Sequence, residues 1–576
     1  MTPPGQNWRN RFSGGLAGSA ALEREGRRTT ALQTGRSRLM VTGALFAIAF
    51  LVVAGRVAQL TLTDGAGESM AQHRPISKTS GAVTDRSAIV DRNGVVLASS
   101  LPTASVYADA RKVLDPHSAA LQLAKVLPDV NWRRLEQKLS SKRAFVWLHR
   151  NLTPKEQNDV NRLGIPGIFF QHAERRVYPH GRLAAHVLGM TDIDGRGIAG
   201  VERYFDEVLR TGEDPLELSI DIRVQSMLHD SLYRSMKEFK GIGAAGLVMD
   251  ARSGEVLAMV SLPDYDPNAP MESASETRFN RVTKGVYEMG STFKLFTAAM
   301  ALDTNTVKMT SGYDASEPIR VARFTIRDFH AENRWLTVPE IMVHSSNIGA
   351  AKMALDVGTT SQKEYLGRLG LLDKPSIELP EIASPLVPRT WRDINTMTIS
   401  YGHGIAVTPL QLASGVAALV NGGETRPATL MKTVGDAALT GKRVMSKKTS
   451  RQVRQLMRMV VEQGTGRNAD VPGYLVGGKT GTAEKQQGKK YNRNARLASF
   501  VGAFPLDDPR FVILAMVDEP KGLKRTFGYA TGGWVAAPVV KEMVRNLATL
   551  YGIAPDPALI EEMESNKGKG HRLASF

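Results

Sequence analysis

The sequence predicts an α/β protein of the α+β kind that is anchored in a membrane near its N-terminus. Three features support this prediction: one uncharged apolar run, a middle region of short turn-bounded segments, and a last region in which apolar strands bracket helices. With 576 residues the chain is too long for one ordinary core. We therefore expect an anchor, an extended α+β pedestal module, and a domain with a mixed antiparallel sheet flanked by helices.

The composition is that of a globular protein, because 42% of the residues are hydrophobic and 23% are charged. Cysteine is absent, which excludes disulfides, thiol nucleophiles and cysteine-ligated metals. No His-Glu-x-x-His pattern occurs among the 11 histidines, so we predict neither a metal site nor a cofactor. The net charge of +17 indicates anionic surroundings. Because no helix-turn-helix or zinc-finger pattern is present, membrane headgroups or an acidic polymer are favoured over nucleic acid.

The N-terminal segment predicts a single-pass anchor. Residues 1–38 carry seven arginines against two glutamates and should form a disordered tail. The uncharged apolar run Leu39–Gly55 continues past Arg56 to Leu60, which makes 22 residues, close to the ~20 residues that cross a bilayer, and Arg56 can extend its charge to the interface. It exceeds the ~7–15 apolar residues of a cleaved signal peptide, the alternative interpretation. The arginine excess places the tail in the cytoplasm, so the chain is predicted in a bacterial inner membrane with its bulk in the periplasm.

Residues 65–220 are predicted to form the pedestal module. The segment Thr84–Leu97 alternates charged and β-branched residues around Asn93-Gly94, which predicts a hairpin. Polar residues of this region are expected to be structural rather than chemical.

Residues 221–560 are predicted to form the second domain, followed by a flexible tail at 561–576. A hairpin of buried strands is expected first, a helix that begins at Thr337 with a capping-box spacing follows, and three strands return near the end. The expected strands are Ala244–Met249, Glu255–Val260, Tyr474–Ala483, Ala498–Phe504 and Phe511–Val517.

A buried helix after Gly290 is the centre of the predicted chemistry. Apolar residues cover nearly all of its faces through Leu302, and Ser291 and Lys294 interrupt its first turn on one side. A lysine in apolar surroundings has a lowered pKa and can take the proton of a neighbouring hydroxyl. The alternative is a serine near an N-cap followed by a surface lysine. Ser-x-x-Lys occurs only here in the sequence.

Two further motifs follow in order, Ser345-Ser-Asn347 and Lys479-Thr-Gly-Thr482. Together with Ser-x-x-Lys they form a trio that is typical of penicillin-binding proteins and β-lactamases. The alternatives are a helix C-terminus capped by Asn347 and, for the second motif, a plain turn.

The three motifs suit acyl transfer, and each residue receives an expected role. Ser291 is the nucleophile and Lys294 its base. Ser345 and Asn347 relay a proton and bind a substrate amide. Lys479 keeps Lys294 neutral and attracts a carboxylate. In the last motif, Thr480 and Thr482 offer hydroxyls, and Gly481 lets a substrate backbone approach. The backbone amides of Ser291 and Thr482 are expected to form an oxyanion hole.

Beyond the trio, the chain resembles class B penicillin-binding proteins over its length after the anchor. The resemblance rests on further segments, among them Asp91-Arg-Asn-Gly94, Arg176-x-Tyr-Pro179, Gly197-x-x-Gly-x-Glu202, Gly402-His-Gly404 and Gly464-Thr-Gly466. Glu288-Met-Gly-Ser-Thr-Phe-Lys294 is closer to the FtsI-type septal branch than to the elongation branch. Ser87 and Met289 depart from the family, which often has glycine and proline there.

The resemblance implies a peptidoglycan D,D-transpeptidase. Ser291 would be acylated by a stem peptide ending in D-Ala-D-Ala, with release of D-Ala, and the amine of a diaminopimelate residue in a neighbouring stem peptide would take the acyl group. β-Lactams would trap Ser291. No glycosyltransferase block precedes the domain, which implies an FtsW-type glycan polymerase and other divisome proteins as partners. The alternatives are an elongation-specific transpeptidase, a D,D-carboxypeptidase, and a non-catalytic penicillin sensor or divisome scaffold.

Overall fold

The computed structural model describes residue 40 and residues 44–54, 86–127, 130–321, 324–433, 441–487 and 490–561. The predicted tail 1–38, most of the tail 561–576, and the anchor outside 40 and 44–54 lie beyond these residues. By its contacts the chain divides into two units, Met1–Gly81 and Ala82–Phe576. In the first, residues 44–54 form a helix, α1. None of the described helices combines the length and the apolar character needed to cross a membrane.

The first part of the second unit contains short strands and helices. In chain order they are β1 (Ile89–Val90), β2 (Val96–Ala108), α2 (Pro116–Val126), α3 (Trp132–Leu139), β3 (Val146–Leu152), α4 (Pro154–Arg162), β4 (Ile168–Val177), α5 (Ala185–Leu188), β5 (Met190–Thr191), β6 (Gly197–Ala199), α6 (Gly200–Tyr204), α7 (Asp206–Thr211) and β7 (Leu216–Glu217). The long strand β2 organises this part, since it pairs antiparallel with β1, β3 and β4.

The predicted hairpin of this region is confirmed. Strands β1 and β2 pair antiparallel, and the turn between them closes through the Gly94 amide, which donates to the Asp91 carbonyl at 3.0 Å. Gly94 has a φ of +81°, a conformation that glycine adopts without the cost of a side chain.

The second part, predicted as the second domain, is larger. Its elements are α8 (Ile222–Glu238), β8 (Gly243–Asp250), β9 (Val256–Leu262), α9 (Lys294–Asp303), β10 (Gly312–Asp314), β11 (Ile319–Val321), β12 (Phe324–Ile326), β13 (Trp335–Thr337), α10 (Val338–Val343), α11 (Asn347–Val357), α12 (Thr359–Arg368), α13 (Asp393–Ile399), α14 (Pro409–Val420), β14 (Glu424–Thr425), β15 (Lys442–Arg443), α15 (Lys447–Glu462), β16 (Gly477–Gln487), β17 (Lys490–Phe504), β18 (Phe511–Asp518), α16 (Gly532–Val535) and α17 (Ala537–Leu550).

A five-stranded antiparallel sheet in the order β16-β17-β18-β8-β9 is the frame of this part. It contains all five predicted strands, but β16 begins and ends several residues after its predicted bounds, and β17 begins well before its own. Strand β16 lies at one edge of the sheet, and among the described strands it pairs with β17 alone.

Apolar residues cover both faces of the sheet, as a sheet flanked by helices requires. On one face, alternate sheet residues such as Leu247 and Leu514 pack in one core with residues of α9, α14 and α15. On the other face, residues such as Val248 and Phe500 pack with α8 and α17. The predicted helix α9 is buried from Lys294 to Leu302 in the first of these cores.

Three polar residues that lie far apart in sequence meet in the first part of this unit. Glu202, which has no exposed surface, accepts from Arg86 Nε and from Arg176 Nε at 2.7 Å each. Arg86 also reaches Asp206 at 2.7 Å. A buried carboxylate held between two arginines is a structural network, in agreement with the prediction for polar residues of this region.

Candidate active site

Ser291 lies in a 3₁₀ turn that precedes the helix. The turn spans Gly290–Phe293 and runs directly into α9, of which Lys294 is the first residue. The predicted helix start was therefore early by one turn. Gly290 has a φ of +57°, and a side chain there would meet the Thr482 carbonyl at 3.0 Å. A glycine at this position thus allows the turn to lie against strand β16.

Lys294 is the centre of the site. Its ammonium nitrogen donates to Ser291 Oγ at 3.0 Å, Ser345 Oγ at 3.1 Å and Asn347 Oδ1 at 2.8 Å, and also to the Ser345 carbonyl. A charged lysine has three hydrogens for these four oxygens, and a neutral one has two. The carbonyl and the amide oxygen can only accept, whereas the two hydroxyls can also donate. A neutral Lys294 can therefore satisfy both carbonyl oxygens and keep its lone pair for a serine hydroxyl.

The environment of Lys294 favours the neutral form. Only 1% of the residue is exposed. Burial is the main reason that the pKa of Lys294 lies well below its usual value, and the charge of Lys479 lowers it further, while Asp328 acts in the opposite direction. Lys479 itself is fully buried, which lowers its pKa to about 7.

Lys479 lies beside Ser345 rather than in the open part of the site. Its ammonium nitrogen donates to Ser345 Oγ at 3.0 Å, so that this hydroxyl lies between the two lysines. The arrangement gives Ser345 the geometry of a proton relay. Lys479 has no exposed surface, so a substrate carboxylate could reach its ammonium group only by displacing the contact with Ser345 Oγ. Lys479 therefore acts on Lys294 through its charge.

The Ser345-Ser346-Asn347 segment connects two helices. Helix α10 begins after Thr337 with the predicted capping box to Glu340 and ends at Val343. Asn347 is the first residue of α11, and Ser346 is the N-cap of that helix. The alternative in which Asn347 caps the preceding helix is therefore wrong.

Asp328 fixes this segment, although no sequence pattern predicts a role for it. Its carboxylate accepts from Ser346 Oγ at 2.7 Å, from the Ile348 amide at 3.0 Å and from the Asn347 amide. The side-chain amide of Asn347 donates to the Arg327 carbonyl at 2.9 Å, which turns its oxygen toward Lys294. No motif surrounds Asp328 in the sequence, so its role is recognised only from its contacts with the Ser345–Asn347 segment in the folded structure.

Strand β16 carries the last motif along the edge of the sheet. Thr480 Oγ1 lies 2.7 Å from Thr465 Oγ1, and Thr482 Oγ1 accepts from the Gly532 amide at 3.2 Å. A side chain at Gly481 would meet Ser499 Oγ at 2.4 Å and the Met289 carbonyl at 2.6 Å. Gly481 thus lets the strand approach the turn that carries Ser291, a role beyond the predicted approach of substrate.

The structure brings all eight predicted site residues to one region. Ser291, Lys294, Ser345, Asn347 and Lys479 are joined by hydrogen bonds, and Thr480, Gly481 and Thr482 continue along the strand next to them.

Comparisons with known proteins agree with this geometry. Residues 244–545 match the family described as penicillin binding protein transpeptidase domain, and residues 82–219 match the penicillin-binding protein dimerisation domain. The chain is 42% identical to a probable peptidoglycan D,D-transpeptidase FtsI of Caulobacter vibrioides, over 84% of each chain. It is 30% identical to the peptidoglycan D,D-transpeptidase FtsI of Escherichia coli, over 93% of this chain and 95% of that one.

A solved structure is also similar. The apo structure of the TP domain of Burkholderia pseudomallei penicillin-binding protein 3 is 36% identical, with a TM-score of 0.53, over 59% of this chain and 97% of that one.

Proposed function

The chain belongs to the class B penicillin-binding proteins, and from this we propose that it is a serine-type peptidoglycan D,D-transpeptidase whose nucleophile is Ser291. The observation that carries the proposal is the hydrogen bond of 3.0 Å between Lys294 and Ser291, with a lysine whose burial favours its neutral form. A neutral amine at this distance is a general base for a hydroxyl.

The acylation step follows from this geometry. Lys294 takes the proton of Ser291 Oγ, and the oxygen attacks the carbonyl carbon between the two terminal D-alanines of a stem peptide. The amides of Ser291 and Thr482 are suited to stabilise the resulting oxyanion. The proton then passes by way of Lys294 and Ser345 to the leaving D-alanine, because Ser345 Oγ lies 3.1 Å from Lys294. β-Lactams would acylate the same serine.

The edge position of β16 suits a peptide substrate. A donor peptide can lie along the strand as an added strand, and the hydroxyls of Thr480 and Thr482 then bind its terminal carboxylate. Lys479 is assigned to the control of Lys294 and to the position of Ser345, since its nitrogen is engaged with Ser345 Oγ.

Cell division is the proposed setting, because two relatives with high coverage carry the name FtsI. The proposed partner is an FtsW-type glycan polymerase. The apolar run 39–60 is the proposed single-pass anchor in the inner membrane, and the catalytic part is proposed to lie in the periplasm. Depletion should give filaments without septa, whereas round cells would indicate the elongation alternative. A reporter active only in the periplasm should be active when fused after Asp64.

The activity is tested with purified full-length protein in detergent and peptidoglycan precursors. The proposal predicts release of D-alanine together with cross-linked peptide dimers, and the loss of both products in Ser291→Ala. Release of D-alanine without dimers would favour the carboxypeptidase. A folded wild-type protein that gives neither product would support the sensor or scaffold.

A further inference from the structure

A cluster of one carboxylate and three aromatic rings, formed by Glu288, Tyr401, His403 and Tyr491, lies next to the nucleophile and takes no part in the acylation described above. Glu288 precedes Ser291 by three residues. Its carboxylate accepts from the Tyr491 hydroxyl at 3.0 Å and from the Gly404 amide at 2.9 Å. The ring of His403 stacks on Tyr491 with centroids 5.6 Å apart and packs edge-on against Tyr401 at 5.4 Å.

Among the described residues, no cation pairs with the carboxylate of Glu288. The groups that donate to it are neutral, and within the described part of the chain it forms no ion pair. Burial raises the pKa of Glu288. Another carboxylate, Glu484, also acts on the Tyr491 phenol, but it lies opposite Arg496 in the pairing of β16 with β17. A half-buried carboxylate left without a cation is unusual, because its desolvation is not offset by a nearby positive charge.

The surrounding rings suit a cation as well. Tyrosine faces attract an ammonium group, and 44% of the Tyr491 surface is exposed and thus open to a ligand. Burial is the main cause that lowers the pKa of His403 to about 4, so its ring is neutral near pH 7 and adds no repulsion. Carboxylate and rings together have the composition of an ammonium-binding site.

The cluster lies beside the site of Ser291 and Lys294, on the side of Gly290. The Gly290 amide donates to the Gly402 carbonyl at 3.3 Å, and a side chain at Gly402 would meet the Gly290 carbonyl at 2.2 Å. The loop that carries His403 and Gly404 therefore packs directly on the turn of Ser291.

A transpeptidase needs a second substrate that differs in charge from the first. The acceptor is an amine, which is an ammonium ion near neutral pH, and the positive charge of the protonated Lys479 disfavours its approach. We propose that Glu288, held by Tyr491 and Gly404, binds the ammonium group of the acceptor and directs it to the acyl-Ser291 ester. The inference rests on the proposed transpeptidase function and assigns the acceptor side of the same site.

In the transfer step, Glu288 acts as the base for the acceptor. Glu288 takes one proton from the ammonium group, and the free amine attacks the carbonyl carbon of the ester. The new C–N bond forms as the C–O bond to Ser291 breaks. The second amine proton passes through Lys294 to Ser291 Oγ, and Glu288 releases its proton to solvent.

The test compares two acceptors on one acyl-enzyme. Full-length protein in detergent is given a D-alanyl thioester donor with either meso-diaminopimelate or methanol, and each transfer product is measured against hydrolysis. Glu288→Gln keeps an acceptor for Tyr491 and Gly404 but loses the charge. It should lower aminolysis relative to hydrolysis roughly tenfold, with a much smaller effect on methanolysis, because methanol is neutral. Glu364→Gln, which removes an exposed carboxylate on α12, is the matched control and should keep the wild-type ratio.

Two results would overturn the inference: an unchanged aminolysis ratio in Glu288→Gln, or an equal loss of aminolysis and methanolysis. Tyr491→Leu provides a second variant if Glu288→Gln is unstable, and it should also lower aminolysis selectively; an unchanged ratio in it would count equally against the acceptor site. Failure of the wild-type protein to form an acyl-enzyme would instead contradict the proposed function, so the two failures are distinguishable.

Discussion

At the scale of single residues, the two buried lysines have different tasks. Lys294 contacts the nucleophile, whereas Lys479 contacts Ser345 and acts on Lys294 through its charge. The Ser-x-x-Lys spacing predicted this contact, because residues three apart share one side of a helical turn. The sequence could not reveal Asp328 or Glu288, because each acts on residues that only the fold brings near.

Replacement of the lysines by arginine separates their tasks. Lys294→Arg introduces a group that stays protonated at neutral pH, so acylation by penicillin should fall by roughly 10³-fold or more. Lys479→Arg keeps the charge but has a larger planar head, and it should lower the rate by roughly tenfold. The second-order acylation rate measures both. A Lys294→Arg rate equal to that of the wild type would rule out the lysine base.

The pH dependence of stability reports the burial of Lys479. Its pKa is about 7 in the folded protein against a usual 10.5. Between these values the unfolded chain binds a proton that the folded protein does not, so a rise in pH stabilises the fold. The contribution is about 1.4 kcal/mol per pH unit.

Lys479→Met should remove this contribution. Urea unfolding at several pH values between about 7.5 and 9.5 should therefore give a free energy of unfolding that rises less steeply in the variant than in the wild type. Equal slopes would show that Lys479 keeps an ordinary pKa in the folded protein.

At the scale of elements, strand β16 is positioned by a glycine. Gly481→Ala places a methyl group against Ser499 Oγ and the Met289 carbonyl, so the strand must move away from the turn of Ser291. A displacement near 1 Å can lower a rate by about 10²-fold, and penicillin acylation should fall accordingly. Gly367→Ala is the control, because the nearest atom to its new methyl group lies 3.8 Å away. Wild-type acylation in Gly481→Ala would contradict this role.

Element types were more predictable than element ends. The helix at Thr337 was predictable because a capping box and an N-terminal proline are local signals, and both are present in α10. The 3₁₀ turn at Ser291 was not, since its shape depends on packing against β16 and the Gly402 loop. Strand β17 begins at Lys490, well before the predicted Ala498, because its polar first half pairs with β16 and carries no apolar pattern.

At the scale of the whole molecule, buried charge holds distant segments together. Glu202→Gln leaves Arg86 and Arg176 without their shared carboxylate, and loss of one partner of a buried pair costs about 3–5 kcal/mol. Urea unfolding should show this loss, while exposed Glu207→Gln on α7 should change stability by less than about 0.5 kcal/mol. A loss below about 1 kcal/mol in Glu202→Gln would show that solvent or other groups compensate.

The sequence predicts a pedestal module and a second domain from changes in composition and apolar pattern, but it does not predict the contacts among Arg86, Arg176 and Glu202. These residues lie in three separate segments, and nothing in their local patterns pairs them. The resemblance to penicillin-binding proteins singled out the segments of Arg176 and Glu202. The fold shows the reason, because both arginines bind the buried carboxylate of Glu202.

The central claim is that Ser291 is the acylated nucleophile. The direct measurement is the intact mass of the full-length protein after incubation with a penicillin, followed by mapping of the modified peptide. We expect one added penicilloyl group on Ser291, and none on a Ser291→Ala variant that has wild-type thermal stability. A penicilloyl group on another residue, or persistent labelling of Ser291→Ala, would contradict it.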